Sequence, residues 1–261
     1  MRTSSAAAMT ALAGVLCGAL SYTLPARHGA PDHASPTPVA ATSSATPLTA
    51  EGLNLLPSET LRDWVTYGDH VVVAKLTSTR DLDTSDEEKK AGEGYIPRQV
   101  SFDVRRVVWS RQGAPDAPAR VALGLDGSVF DATSTAPLRM EGQPALDKVG
   151  TEYVMVLTKL RASAYTSVPG WVALSPDSIV PISPSDPTTV TAGAGQRVSS
   201  AVSAVQGRTV DRVASLLAHT EADPFAVPYM AEPPDERAQL AIRARRDSAE
   251  VRVERAPGEK P

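Results

Sequence analysis

Cysteine is almost missing from this chain. The single Cys17 lies in an N-terminal apolar run, so whatever folds beyond it has no disulfide, no Cys-based metal cage and no thiol nucleophile. An excess of positive charge is missing too. Lys and Arg number 26 against 30 acids, for a formal net charge of −4. That balance excludes a surface built to hold nucleic acid, which needs clustered cations to neutralise phosphates. The motifs of hydrolytic and nucleotide chemistry are absent as well. There is no Gly-x-Ser-x-Gly elbow, no His-Glu-x-x-His, and no Gly-rich loop ending in Lys-Ser or Lys-Thr. What is present is globular: 42% hydrophobic and 21% charged residues suit a packed core rather than a disordered or fibrous chain.

The N-terminus carries the clearest signal. Behind Arg2, residues Ala6 to Leu20 hold no charge, and the run extends to Leu24 before Pro25. A basic start before such a run is the layout of an export signal, and at its longer extent it just suffices for a membrane anchor. Cleaved signal and retained anchor both stay open. A lipid anchor on Cys17 is disfavoured by the bulky Leu16 before it. With the positive charge on the near side, the rest of the chain is expected outside. Membrane contact is expected only through residues 1–24. Residues 25–56 read as a disordered tether: Pro25, Pro31, Pro36, Pro38 and Pro47, spaced by Ser, Thr and Ala, cannot bury enough apolar surface to offset the entropy of ordering.

Order is expected from Pro57. Residues 58–68 suit a short helix, with Leu61, Trp64 and Val65 on one face and Trp64 as a core anchor. A period of two then takes over. Strands are expected at 69–77, 98–109, 120–125, 152–157, 171–174 and 179–182. The alternation breaks after Val104 at Arg105-Arg106, which predicts a bulge. Pro181 places the last run on an edge. A closing helix, capped by Thr209, has a stripe of Val210, Val213, Ala214 and Leu217. Residues 221–261 read as a charged tail, partly helical or disordered, because Leu240, Ile242 and Val251 are scattered and form no face. The expected fold of 57–220 is therefore mainly β with flanking helices (α+β): a small antiparallel OB-like barrel of five or six strands.

The helix, then Asp69-His70-Val71-Val72-Val73-Ala74-Lys75-Leu76, then Val100 to Trp109, then Gly150-Thr151-Glu152-Tyr153-Val154-Met155-Val156-Leu157 resemble a loose group of exported bacterial proteins of unknown function. Ala74 stands where that group has Gly, and Trp109-Ser110 where it has Lys-Gly. The resemblance implies an OB-like, netrin-type barrel and carries no catalytic residues.

Candidate chemistry is sparse. His28 and His33 fall in the tether. His70 shares a face with Val72, Ala74 and Leu76, which suits a satisfied edge or core histidine, and His219 ends the last helix, where a cation suits the dipole. No partner for either is visible, so a base held by an orienter is not expected. An enzyme would have to use carboxylates such as Asp126, Asp131 and Glu141. Asp81, Asp83 and Ser85 begin like a calcium loop, but Asp86 stands where Gly is needed and Gly92 where a bidentate Glu is needed. No metal and no cofactor is expected. The favoured function is a non-enzymatic extracytoplasmic binding or interaction module, its partner an unknown envelope protein or small ligand. Its binding residues are not specified, though an exposed patch near Tyr95, Phe130 and Trp171 would mark them. The alternative is a cell-envelope hydrolase using carboxylates of the 81–93 and 126–141 loops.

Overall fold

A computed structural model describes residues 47–50, 54–161, 170–193 and 196–254. The apolar run Ala6–Leu20, Cys17, His28, His33 and most of the tether lie outside the described residues. Among those described, no helix is long and apolar enough to cross a membrane.

The chain enters through β1 (Leu48–Ala50) and then α1 (Leu61–Tyr67), β2 (His70–Asp81), α2 (Asp86–Ala91) and β3 (Gly94–Ser110). It continues through β4 (Arg120–Phe130), β5 (Thr135–Met140), β6 (Glu152–Leu160), β7 (Gly170–Ala173) and β8 (Ile179–Pro181). Helices α3 (Ser200–Val205), α4 (Val210–Ala218) and α5 (Pro234–Glu254) follow. Local chemistry sets each start. In α1 the Thr60 side chain accepts from the Asp63 amide while the Asp63 carboxylate accepts from Thr60, a reciprocal cap. Thr209 caps α4 through the Arg212 amide.

One sheet runs through the molecule in the order β1-β5-β4-β3-β2-β6-β7, and β8 also pairs with β6. Because β2 occupies one side of β6, β7 and β8 lie end to end along the other. Every pairing is antiparallel except β1 with β5. The expected five- or six-stranded OB-like barrel is thus corrected to an open, mixed sheet. Among the described residues β1 pairs only with β5 and β7 only with β6, so no ladder joins the two edges. Side chains close the concave face instead. Val72, Ala74, Leu76, Val100, Phe102, Val121, Leu123, Met155 and Leu157 fill it, and Leu146 from the β5–β6 connection plugs it beside Tyr153. That apolar filling does by packing what a barrel does by strand closure.

The opposite face of β2 and β6 carries Val71, Val73, Val154 and Val156, covered by Trp64, Val65, Val202, Val205, Val213 and Leu217 from the helices. Burial on both faces explains the near-continuous apolar runs of these two strands. The β2–β3 register shifts between Val71 and Val72 and again between Val73 and Ala74. Arg105 and Val108 are therefore extra residues at the break in alternation, and they bend β3 around the core.

Two segments differ from expectation. Leu48–Ala50, read as tether, forms a strand, and Leu56 is buried. The segment after residue 221 also packs: Arg237, Ala238 and Ala241 are buried. The hold is made by small side chains and a guanidinium rather than by a stripe of large aliphatics.

Candidate functional site

The two ends of β3 hold different chemistry. At its start, Gly94 pairs with Phe130 and Tyr95 with Val129, so the 81–93 and 126–141 loops meet at the same end of the sheet. Two of their carboxylates, Glu88 and Asp131, are spent on local structure. Asp86–Ala91 is a helix capped by Ser85, and Glu88 accepts from the Ser85 hydroxyl and amide and from the Tyr95 amide. Those bonds hold its carboxyl below the usual range, the Ser85 hydroxyl contributing most. Asp131 accepts from the hydroxyls and amides of Thr133 and Ser134, which, Thr133 first, hold its pKa down at about 2. A carboxylate so fixed stays ionised and moves no proton near neutrality. Glu141 follows β5 directly, with its amide donating to the Ala50 carbonyl, and the Asp126 side chain lies outside the description. Among the described residues, no three His, Cys, Asp or Glu side chains gather as a metal set.

At the other end of β3 the aromatic expectation divides. Tyr95 and Phe130 belong to the first end, whereas Trp171 packs against His70 with ring centroids 5.3 Å apart. His70 pairs with Ser110, the last residue of β3, so the three aromatics do not form one patch.

This second end is built from parts distant in sequence. The chain leaving α1 buries Asp69, whose carboxylate pairs with Arg111 at 2.7 Å and accepts from the Lys159 amide at 2.8 Å. Arg111 also donates to the carbonyls of Gln112 and Met230. Arg237 reaches in from α5 and donates to the carbonyls of Thr66, Met230 and Glu232. Burial, with Arg111 second, pushes its pKa down to about 10. Beside them, Asp223 takes the Arg245 guanidinium at 2.6 Å. Met230 thus bridges two guanidiniums through one carbonyl, and the network ties the 220–245 segment to the ends of α1 and β3.

Over the network opens a groove of about 700 Å³. Val65, Trp109 and Leu217 supply apolar lining, Ser110 and Arg111 one polar stretch, and Met230 the side belonging to the C-terminal segment. Its size falls within the roughly 300–1,000 Å³ of small-molecule sites.

His70 sits at the strand end next to this groove. Its Nδ1 is 2.8 Å from the Ser110 hydroxyl and its Nε2 is 2.7 Å from the Pro115 carbonyl. Both ring nitrogens have partners that the sequence does not reveal, since one lies 40 residues away and the other is a main-chain atom. His219 bonds the Ser215 carbonyl one turn back in its own helix, as its position at a helix end suggests. No protein-family model, no curated protein and no solved structure matches the chain.

Proposed function

We propose that the chain is an extracytoplasmic binding module, exported or held at the membrane by residues 1–24, that takes its ligand in the groove over Trp109, Leu217 and Met230. The observation that carries this reading is the groove itself. It sets the apolar Val65, Trp109 and Leu217 beside the polar Ser110 and Arg111 along an open groove of about 700 Å³, the mixture of group types that small-molecule sites use for affinity and orientation. Its walls come from the end of β3, the end of α4 and the Met230 region, so ligand binding would draw on all three. The buried Asp69–Arg111 and Arg237 bonds beneath it hold those walls in place, and a preformed site loses little entropy on binding.

The test uses the neutral dye N-phenyl-1-naphthylamine, which brightens on entering an apolar site. The chain should bind it saturably, and Ala218→Trp, which places an indole at an exposed position in the lining, should abolish the signal without changing the melting temperature. Equal fluorescence from the wild type and the filled variant would overturn the proposal.

A further inference from the structure

Ser110 ends β3 directly opposite His70, the first residue of β2. Their side chains meet at 2.8 Å through Oγ and Nδ1. On its far side the ring faces the Pro115 carbonyl at 2.7 Å. A carbonyl oxygen only accepts, so Nε2 carries the proton, and in the neutral ring Nδ1 turns a lone pair toward the serine hydroxyl. Trp171 packs on the imidazole, and the Lys159 ammonium lies 5.7 Å from the centre of the indole. The ring is buried while Ser110 is exposed. An exposed serine is therefore bonded through its hydroxyl to a buried base, whose tautomer and orientation are set by a third group. That is the nucleophile, base and orienter relation of covalent catalysis, with a main-chain carbonyl as the orienter.

We propose that Ser110 is an acyl-accepting nucleophile and His70 its general base, and that the chain cleaves carboxylic esters at this end of the sheet. Oγ attacks the ester carbonyl carbon and its proton passes to Nδ1. The bond to the alcohol oxygen breaks and the alcohol leaves with that proton, so the acyl group stays on Ser110. A water then gives its proton to Nδ1 and attacks the acyl carbon. The serine oxygen departs, regains the proton, and a carboxylic acid is released. Water is the sole co-reactant and nothing is oxidised or reduced. The imidazolium formed between the steps faces a carbonyl dipole rather than a full carboxylate charge, so turnover is slow compared with that of enzymes whose orienter is ionised. The proposal goes beyond the groove reading and does not depend on it, although Ser110 belongs to the groove lining.

The test is covalent labelling of the full chain with a fluorophosphonate probe, followed by peptide mapping. Attack by Ser110 expels fluoride and leaves a phosphonyl adduct on that residue. The adduct should be found on Ser110, should vanish in Ser110→Ala, and should form at least tenfold more slowly in His70→Gln. If His70→Gln does not fold, the wild-type map decides: the adduct should form on Ser110 at least tenfold faster than on any other serine. A folded chain with no adduct on Ser110, a folded His70→Gln labelled at the wild-type rate, or a wild type whose Ser110 is labelled no faster than its other serines would overturn the proposal.

Discussion

Replacing Arg237 with Ala removes a guanidinium with no exposed surface from between α1 and α5. Its donors serve the carbonyls of Thr66, Met230 and Glu232, and the substitution leaves all three without that partner. A buried acceptor left unsatisfied costs about 1–3 kcal/mol. The full sum is not realised, because water can enter the vacated space and because the ion is itself costly to bury, as its lowered pKa of about 10 records. The acceptors are neutral carbonyls, so no buried charge is left unpaired, and the loss expected is about 1.5–3 kcal/mol, the worth of hydrogen bonding to a charged group. Against a domain stability of roughly 5–15 kcal/mol it is a substantial fraction, and at about 2–4 °C per kcal/mol the midpoint should fall by roughly 3–12 °C. Urea unfolding followed by Trp fluorescence measures it directly, with Arg243→Ala, an exposed position on the same helix, as the control that stays within about 0.5 kcal/mol. Ending the chain at Glu221 should destabilise at least as much as Arg237→Ala. A loss below about 1 kcal/mol for Arg237→Ala would show that α5 is not held to the body.

Alkaline unfolding should be dominated by Tyr67 and Tyr153. Burial, assisted by Asp223 and Asp63 for Tyr67, raises both from 10 to about 12. Between those values the folded chain holds protons that the unfolded chain releases, so stability is intact below about pH 10 and falls as pH rises toward 12. Arg237 acts in the opposite sense, because its lowered pKa lets the folded chain release a proton first. Absorbance at 295 nm should show Tyr67 and Tyr153 withholding ionisation until unfolding, an amplitude lost in Tyr67→Phe and Tyr153→Phe; a titration with no component delayed to unfolding would refute this. Gly127→Ala should cost about 1–3 kcal/mol, the usual range for overpacking, because a Cβ there would overlap the Ile96 carbonyl; an unchanged melt would contradict that placement. Replacing both Val15 and Leu16 with Asp should retain the protein in the cytoplasm, since each charge costs a few kcal/mol at the centre of an inserting segment, and fractionation showing normal export would refute the signal reading.

Much of the core was legible because both of its periods are strong. Alternation through Val100, Phe102 and Val104 and the Val210, Val213, Leu217 stripe belong to elements whose burial supplies most of their stability. Buried aliphatics of this kind contribute about 1.5–3 kcal/mol each. The break at Arg105-Arg106 was legible for the same reason, since a lost alternation marks an extra residue. Closure was not legible. Whether a sheet's edges meet depends on pairing between distant strands, and neither the parallel addition of Leu48–Ala50 to β5 nor the plugging by Leu146 leaves a periodic trace. The tail was misread because Ala238 and Ala241 are too small to register as an apolar face, and Arg237 reads as a surface charge until its carbonyl acceptors are seen. The same limit hid the His70 environment: strand register supplies Ser110, and a main-chain oxygen supplies the other partner.

The groove as the binding site is tested most directly by the methionine methyl groups. Met230 lines the groove, while Met155 is fully buried in the concave core on the other face of the sheet. In a titration of methyl-labelled protein with N-phenyl-1-naphthylamine, the Met230 methyl resonance should shift saturably and the Met155 resonance should stay in place. A shift at Met155 with Met230 unmoved, or no shift at either up to the solubility of the dye, would contradict the account.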